Sequence, residues 1–412
     1  MKEITERIEK ELQHLEEYTA TPGNGCTRLP FTKEARMAVD YLKERMLDAG
    51  LAVHEDEAGN VFGVLEGEDP NLPCVMMGSH YDSVMSGGNY DGIAGVVSAI
   101  DVARQLKERG VKLKRNYVAV GFCDEEGTRF GTGYFGSGAM LGVYDVDYCK
   151  KFHDTDGVSI YDAMKGYGLD AEKLKDAAWK KDSIEYFIES HIEQGAVLDS
   201  EGTELGLVEG IVGLQRYMVT VNGRADHAGT TPMNMRHDAV EAAAGVIAKI
   251  PQWARDYQDE TVATVGYVKS FPGGVNIVAE RVEFSVDVRS MNNEHIETIV
   301  SKMKQELQAL SDKCGTTFDM LEKLRIEPLH LSEDLLKILA ESCKKHGYSN
   351  HRMCSGAGHD TLEIGQNGIP SVMLFIPSKD GRSHCPVEWS SYEDVAKAAQ
   401  VAADLVEELV TK

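Results

Sequence analysis

The segment PCVMMGSHYDSVMSGGNYDGIAGVVSAIDVARQ, residues 73–105, decides the fold. Its apolar start, residues 73–77, has the length and composition of a buried strand. After a glycine-rich turn, a long apolar stretch at 92–105 predicts a buried helix, and a second apolar strand is expected at 116–121. Strand–helix–strand order is typical of an α/β sheet with parallel strands.

The pattern outside this segment predicts two domains. A helix at 33–49 and a strand at 60–65 precede it. The region from 214 to 328 follows a β-α-β-β-α-β order, with elements expected at 214–221, 238–250, 261–268, 281–288, 293–312 and 317–324. That order predicts a ferredoxin-like α+β layer. The α/β pattern then returns, with a helix at 332–345 and a strand at 371–376. We therefore predict a domain formed by 1–213 and 329–412, with a largely parallel mixed sheet and flanking helices, and a smaller domain, 214–328, inserted into it.

Composition excludes several classes of function. The chain has 412 residues, and its formal charge is 43 − 67 = −24. Such an acidic balance argues against nucleic acid or an anionic membrane as a partner, because both require basic patches. We see neither a signal peptide nor a long apolar run for a membrane span. The eight cysteines form no CxxC pair, which predicts reduced thiols and a cytoplasmic location.

Five short segments each carry one or two good metal ligands. They are GSHYDS with His80, GGNYDG with Asp91, DEEGTRF with Glu125 and Glu126, ESHIEQG with His191, and GRSHC with His384. Zinc-type ions prefer these nitrogen and carboxylate ligands. The set suffices for two ions with Asp91 as a shared bridge, because a carboxylate has two oxygens, and it leaves one acid for catalysis. This inventory predicts a hydrolase that activates water between two metals.

The adjacent acids Glu125 and Glu126 follow an apolar strand, where ligands bind in parallel sheets. Two neighbouring acids are costly to bury without a cation, although a surface acidic turn is the alternative. We expect Glu125 to act as general base and then general acid, with a pKa between that of free Glu and neutrality. Asp82, two residues after His80, is expected to orient that imidazole through its carboxylate.

Several other residues are candidates for substrate binding. Arg289, at the end of a predicted strand, suits bidentate carboxylate recognition, with a surface ion pair as the alternative. His227 lies in a loop rich in Gly and Thr and could donate to an oxyanion. FPGGVNIV, residues 271–278, predicts a hairpin that places Asn276 at a strand entrance.

The string GAGHD, residues 356–360, is expected to line the pocket through Gly358. His359, in the same string, competes with His384 for the last metal-ligand position.

The strings DEEGTRF, HIEQG and GRADHAGTTPM (223–233) carry a resemblance to a known family. The chain resembles the M20 metallopeptidase superfamily, and within it the amidase/carbamoylase branch of N-carbamoyl-L-amino acid hydrolases, allantoate amidohydrolases and β-ureidopropionases. The resemblance spans nearly the whole chain, and HIEQG separates this branch from the peptidases and deacylases. Two features bear on the resemblance. Tyr81 stands where many relatives of the branch have Ile, and the middle of the string GTRFGTGYFGS, which follows Glu126, varies among the enzymes of the branch.

The resemblance implies a role for each candidate residue. One ion would be held by His80, Asp91 and His191, and the other by Asp91, Glu126 and His384. Glu125 would be the catalytic base, Gln194 would hydrogen-bond the ureido or amide group, and Asn276 and Arg289 would bind the substrate carboxylate. The inserted domain would be a lid that forms a homodimer, with His227 reaching the partner's active site to stabilise the oxyanion.

We therefore predict a binuclear amidohydrolase that cleaves the carbamoyl C–N bond of an N-carbamoyl-L-amino acid, a small-molecule carboxylate. Allantoate hydrolysis is the second hypothesis. A dipeptidase or aminoacylase is the third, and HIEQG counts against it. A non-catalytic metal-binding protein on the same scaffold is the alternative from another class, and the intact Glu125 disfavours it. Zinc is the favoured metal, with manganese, cobalt and nickel as alternatives.

Overall fold

The computed structural model describes residues 1–180 and 182–412. The chain divides into two compact units. Unit 1 consists of Met1–Glu209 and Leu331–Lys412, and unit 2 of Gly210–His330. The predicted insertion, 214–328, lies inside the second unit. Among the described residues, the helices are all too short or too polar to cross a membrane.

In chain order, the elements up to residue 211 are α1 (Lys2–Leu15), α2 (Lys33–Asp48), β1 (Ala52–Glu55), β2 (Val61–Leu65), β3 (Cys74–His80), α3 (Ile93–Glu108), β4 (Tyr117–Phe122), α4 (Phe135–Met140), α5 (Val146–Lys151), α6 (Ile160–Tyr167), β5 (Ile184–Ile192), α7 (Val197–Glu201) and β6 (Leu205–Ile211). From 213 to 330 they are β7 (Gly213–Asn222), β8 (Asp226–His227), α8 (Ala239–Ile247), α9 (Ile250–Arg255), β9 (Val262–Thr264), β10 (Val268–Phe271), β11 (Ile277–Val278), β12 (Arg281–Ser290), α10 (Asn293–Cys314), β13 (Thr317–Ile326) and β14 (Leu329–His330). After 331 they are α11 (Glu333–His346), β15 (Asn350–Ser355), α12 (Asp360–Gln366), β16 (Ser371–Ile376) and α13 (Tyr392–Thr411).

The sheet of unit 1 has the strand order β1-β2-β4-β3-β5-β16-β6, with β15 beside β6. Its centre is parallel: β3 runs parallel to β4 and β5, and β16 runs parallel to β5. The flanking strands β1, β2 and β6 are antiparallel. Every residue of β3, β4 and β16 is buried, which explains their continuous apolar sequences, because helices cover both faces of a parallel sheet. The predicted α/β fold class is confirmed.

Unit 2 is built on an antiparallel sheet with the order β10-β12-β7-β13. Buried and half-buried residues alternate along β12, so one face of the sheet carries the core. Helices α8 and α10 supply the other side of that core, which includes Val219, Phe284 and Ile299. With β7 as first strand and β13 as last, the spatial order corresponds to the predicted ferredoxin-like layer.

Three local predictions in this unit are wrong. The helix expected at 238–250 breaks after Ile247, because the ring of Pro251 would collide with the carbonyl four residues earlier. The strand expected at 261–268 is two strands, separated by a stretch that contains Gly266, and glycine weakens strand interiors. The hairpin expected at 271–278 does not form, since β10 pairs with β12 whereas β11 pairs with β8.

Candidate metal centre

The candidate ligands of unit 1 meet at one edge of its sheet. His80 is the last residue of β3, and His191 is the last but one of β5. Glu125 and Glu126 follow β4, and His384 lies in the loop after β16. Because these four strands are parallel, their carboxyl ends lie together, which is where α/β sheets bind ligands.

Asp91 is shared by two groups of side chains. One is His80, Asp91 and His191, and the other is Asp91, Glu126 and His384. Within each group, the ligand atoms all lie within 4.8 Å of one another. Asp91 Oδ1 lies 3.3 Å from His80 Nε2 and 3.2 Å from His191 Nε2, whereas Oδ2 lies 3.3 Å from His384 Nε2. Each oxygen therefore faces one group, as a carboxylate that bridges two cations must.

Backbone carbonyls orient the two buried histidines. His80 Nδ1 lies 3.1 Å from the carbonyl oxygen of Asp82, and His191 Nδ1 lies 2.9 Å from that of Ile192. A carbonyl oxygen only accepts, so Nδ1 carries the proton in each ring. In the neutral imidazole, Nε2 then carries the lone pair. Each Nε2 is thus available as a metal ligand on the side of the ring that faces Asp91.

The carboxylate of Asp82 has a different main contact from the one predicted. It lies 3.6 Å from His80 Nδ1, but it accepts the backbone N–H groups of Glu125 at 3.1 Å and Glu126 at 3.3 Å. Asp82 thus orients His80 mainly through its carbonyl group, while its side chain fixes the turn that carries the two glutamates.

Gly92 allows Asp91 and His80 to approach each other. Its φ is +65°, a conformation that favours glycine. A Cβ atom at this position would lie 2.3 to 2.5 Å from atoms of the His80 ring. The glycine between Asp91 and α3 is therefore required by the packing of the imidazole.

The electrostatics of the centre fit divalent cations. Burial raises the pKa of Glu125 well above its ordinary value, His80 opposes this shift, and Glu126 reinforces it. Burial also raises the pKa of Glu126 to about 7, with a further contribution from Asp91. Among the described residues, the buried Oε1 of Glu126 has no hydrogen-bond partner. Buried acids that repel one another, with imidazole nitrogens beside them, form the donor set that zinc-type ions prefer.

The side chains nearest Asp91 differ in exposure. The side chains of His80 and His191 are each 1% exposed, whereas that of His384 is 48% exposed. Hydrogen bonding to Asp91 raises the pKa of His384 to about 9. The group that contains His384 is therefore the one open to solvent.

His359 lies in a further group with Glu189 and His191. Its Nε2 is already 2.8 Å from Ser355 Oγ. Glu189 accepts hydrogen bonds from Ser79 Oγ at 2.7 Å and from Thr361 Oγ1 at 2.6 Å. His359 and Glu189 thus already have hydrogen-bond partners among the protein side chains, whereas His384 faces Asp91.

Gln194 lies beside the second group, with Nε2 2.8 Å from Asp91 Oδ2 and 3.1 Å from His384 Nε2. Gly358 lies against Tyr134: a Cβ at 358 would be 1.7 Å from the tyrosine hydroxyl oxygen. The backbone N–H of Tyr134 donates to the carbonyl oxygen of Glu125 at 3.1 Å. Sequence reasoning missed Tyr134, which lies in the middle of GTRFGTGYFGS and carries no local signal of its own.

Glu388 was missed as well. It is 4% exposed and hydrogen-bonds the loops of Asp91 and His384. Its position four residues after a candidate histidine ligand was the available signal.

Two of the three candidates in unit 2 are neighbours. His227 lies on the short strand β8, not in a loop, and pairs with Ile277, next to Asn276. His227 Nδ1 accepts the N–H groups of Gly229 and Thr230 at 3.1 and 3.2 Å, so Nε2 carries the proton of the neutral ring.

Arg289 lies elsewhere in unit 2. It is inside β12, where its Nε donates to Asp287 Oδ1 at 2.7 Å. The strand β12 begins at Arg281, three residues after the end of β11, and Arg281 pairs with Asn222 and Phe271. Eight residue steps separate Arg281 from Arg289, roughly 26 Å of extended strand. The structure brings His227 and Asn276 together but leaves Arg289 at the other end of β12.

Residues 76–408 match the model of peptidase family M20/M25/M40. The chain belongs to this family. It is 38% identical to the N-carbamoyl-L-amino-acid amidohydrolase of Paenarthrobacter aurescens, with 98% of each chain covered. It is 39% identical to that of Geobacillus stearothermophilus, with 96% of each covered. The allantoate amidohydrolase of Bacillus subtilis is 36% identical, with 97% of this chain and 96% of the relative covered.

Two solved structures are similar to the chain over almost its whole length. An amidase of the hydantoinase/carbamoylase family from Burkholderia multivorans has a TM-score of 0.91 at 28% identity, covering 99% of this chain and 98% of the other. AtUAH in complex with glyoxylate has a TM-score of 0.81 at 31% identity, with the same coverage. The predicted membership of the amidase/carbamoylase branch is confirmed. This M20 protein is an amidohydrolase acting on C–N bonds other than peptide bonds.

Proposed function

We propose that this amidohydrolase is binuclear and hydrolyses the carbamoyl C–N bond of N-carbamoyl-L-amino acids, giving the amino acid, ammonia and carbon dioxide. The observation that carries the proposal is the division of Asp91 between two ligand groups, with Oδ1 facing His80 and His191 and Oδ2 facing His384. The curated N-carbamoyl-L-amino-acid amidohydrolases at 38% and 39% identity support the choice of substrate class.

In this proposal one metal ion would be held by His80, Asp91 and His191, and the other by Asp91, Glu126 and His384. When bound, the ions would supply an activated water molecule and polarise the substrate carbonyl. Glu125 would take a proton from the attacking water and return it to the leaving nitrogen, a role that suits a buried carboxyl with a raised pKa. Zinc is our first choice of metal, with manganese, cobalt and nickel as alternatives.

The remaining candidates would recognise the substrate. Gln194, whose amide lies beside Asp91 and His384, would hydrogen-bond the ureido group. His227 carries its proton on Nε2 when neutral and would donate it to the oxyanion. Asn276 and Arg289 would bind the substrate carboxylate, and Gly358 would line the pocket.

A homodimer through unit 2 is part of the proposal. His227 pairs with Ile277, shortly before β12 begins, whereas Arg289 lies near the far end of β12, which argues against one small substrate contacting both residues of one chain. If both act on one substrate, a second subunit would supply one of them. We therefore propose unit 2 as a lid and dimerisation domain. The cytoplasmic location expected from the sequence stays a prediction.

Allantoate is the second candidate substrate, and the 36% identical allantoate amidohydrolase of Bacillus subtilis favours it specifically. A dipeptidase or aminoacylase activity is the third candidate. The test is ammonia release by metal-loaded enzyme from N-carbamoyl-L-amino acids, allantoate, ureidoglycolate and N-carbamoyl-β-alanine, with dipeptides assayed in parallel by amine release. The highest kcat/KM for an N-carbamoyl-L-amino acid is expected. Turnover of allantoate or dipeptides alone would contradict the proposed substrate.

A further inference from the structure

We propose that Glu388 is a positioning residue that joins the Asp91 loop to the His384 loop and thereby maintains the second ligand group. The inference rests on the proposed binuclear function and adds to it a residue that contributes no ligand atom. It predicts that Glu388 controls the affinity of one metal site more than that of the other.

The two oxygens of Glu388 serve two different loops. Oε1 accepts the backbone N–H groups of Tyr90 and Asp91, each at 3.1 Å. Oε2 accepts the hydroxyl of Ser383 at 2.8 Å and the backbone N–H of His384 at 3.3 Å. The loops are almost 300 residues apart in sequence, so this buried carboxylate is a direct connection between the residues Asp91 and His384.

Space for this carboxylate depends on a glycine. A Cβ atom at Gly88 would lie 2.0 Å from Oε1 and 2.1 Å from Cδ of Glu388. The backbone of Gly88 is not in the left-handed region, so alanine is compatible with its conformation. Alanine at 88 would therefore displace Glu388 without removing its charge.

Ser383 connects Glu388 to the ligand atoms themselves. Its Oγ lies 3.0 Å from Asp91 Oδ2 and 2.8 Å from Glu388 Oε2, and its single hydroxyl proton can be donated to only one of them at a time. Donation to Glu388 instead of Asp91 would leave Oδ2 available as a metal ligand and would keep the serine hydroxyl hydrogen-bonded.

The two ligand groups depend on Glu388 to different degrees. His80 and His191 are fixed by strands β3 and β5 and by backbone carbonyls. His384 lies in a loop, is half exposed, and has its backbone N–H bonded by Glu388. Loss of Glu388 should therefore weaken the site of Asp91, Glu126 and His384 more than the site of His80, Asp91 and His191.

The test is a titration of metal-stripped protein with Mn²⁺ alone. Binding is measured by calorimetry and by electron paramagnetic resonance. Wild-type protein should bind two ions and give the signal of a coupled pair. Glu388→Gln should retain the first ion and bind the second about 10–100-fold more weakly, as for other residues that orient metal ligands. Gly88→Ala should give the same selective loss although the charge of Glu388 is kept.

Asp56→Asn is the matched control. Asp56 is another buried carboxylate that accepts backbone N–H groups, those of Ala58 and Asn60, both at 2.9 Å, and it belongs to neither ligand group. This variant should bind both Mn²⁺ ions as the wild type does.

The outcomes separate this inference from the proposed function. Wild-type protein that binds fewer than two ions would overturn both. Two ions in the wild type and unchanged affinities in Glu388→Gln would overturn the role of Glu388 alone. If Glu388→Gln does not fold, Gly88→Ala decides: selective loss of the second ion supports the inference, and equal or no loss overturns it.

Discussion

At the scale of single residues, the centre depends on residues whose two polar groups have different partners. Asp91 directs one oxygen to His80 and His191 and the other to His384. Each buried histidine donates the N–H of Nδ1 to a backbone carbonyl, and its Nε2 faces Asp91. Asp82 uses its carbonyl for His80 and its carboxylate for the glutamate turn. Such residues fix both the position and the protonation of their neighbours. Because each group of the centre has its own partners, we expect that substitutions at single residues can separate metal binding from catalysis.

Glu125→Gln should retain both metal ions and lose turnover. Glutamine has a similar shape but cannot take a proton, and the loss of a general base lowers kcat by about 10²–10⁴-fold. Metal content and kcat of the same preparation test this. Glu126→Gln is the contrasting variant, which should lose metal as well. Unchanged kcat in Glu125→Gln would refute the assigned role.

Gly358→Ala should damage both stability and activity. The new Cβ would meet the Tyr134 hydroxyl oxygen at 1.7 Å, and forced overpacking costs about 1–3 kcal/mol. Tyr134→Phe in the same chain should recover part of the loss, because it removes the nearest atom. Unfolding free energies and kcat/KM of the single and double variants measure this. Gly166→Ala, where a Cβ meets nothing within 4 Å, is the control and should be tolerated.

At the scale of elements, the parallel strands bring the candidate ligands to one edge of the sheet. A single carboxylate, that of Asp404, connects three of the helices of unit 1. Asp404 on α13 accepts hydrogen bonds from Arg109 at 2.8 Å, at the end of α3, and from Ser342, Lys345 and His346 on α11, each at 2.9 Å. Burial alone would raise the pKa of Asp404, but these hydrogen bonds outweigh it and lower the pKa to about 2.

Asp404→Asn should reduce stability in a pH-dependent way. The folded pKa lies below the unfolded value, so the stabilisation is complete above that unfolded value and is lost as the pH falls towards 2. The side chain is only 10% exposed, so the free energy of unfolding should fall by about 2 kcal/mol at pH 7. Urea unfolding at pH 7 and pH 3 measures the difference. A difference that does not shrink at pH 3 would contradict this explanation.

At the scale of the whole molecule, unit 2 raises the question of how many chains form one active site. His227 and Asn276 are adjacent through the pairing of β8 with β11, whereas Arg289 is at the far end of β12. This separation within a compact unit supports the proposed dimer, in which each subunit would contribute residues to the other's site.

Mixing His227→Ala and Arg289→Ala subunits should restore activity that neither variant has alone. In a mixed dimer, one site receives an intact His227 and an intact Arg289, and the other receives neither. Random pairing makes half of the dimers mixed, so about a quarter of wild-type activity is expected. Refolded or co-expressed mixtures, analysed for kcat and by light scattering, test this. Monomers throughout, or no recovery in verified mixed dimers, would contradict exchange.

Much of the fold was predictable because local patterns agree with tertiary packing. The apolar run 73–77 corresponds to buried strand β3, and the helix expected at 293–312 corresponds to α10. Prediction failed where a single residue or a distant partner overrode the pattern. Pro251 divided one helix, and β11 paired with β8 instead of completing a hairpin.

The sequence by itself determined the fold class, the family and the inventory of candidate ligands, because these depend on residue types, their order and their periodicity. Only the tertiary structure decided which oxygen of Asp91 faces which histidine, that Asp82 fixes the glutamate turn, and that Glu388 joins two distant loops. Hydrogen bonds act over about 3 Å between atoms. No local pattern specifies them when the partners lie almost 300 residues apart.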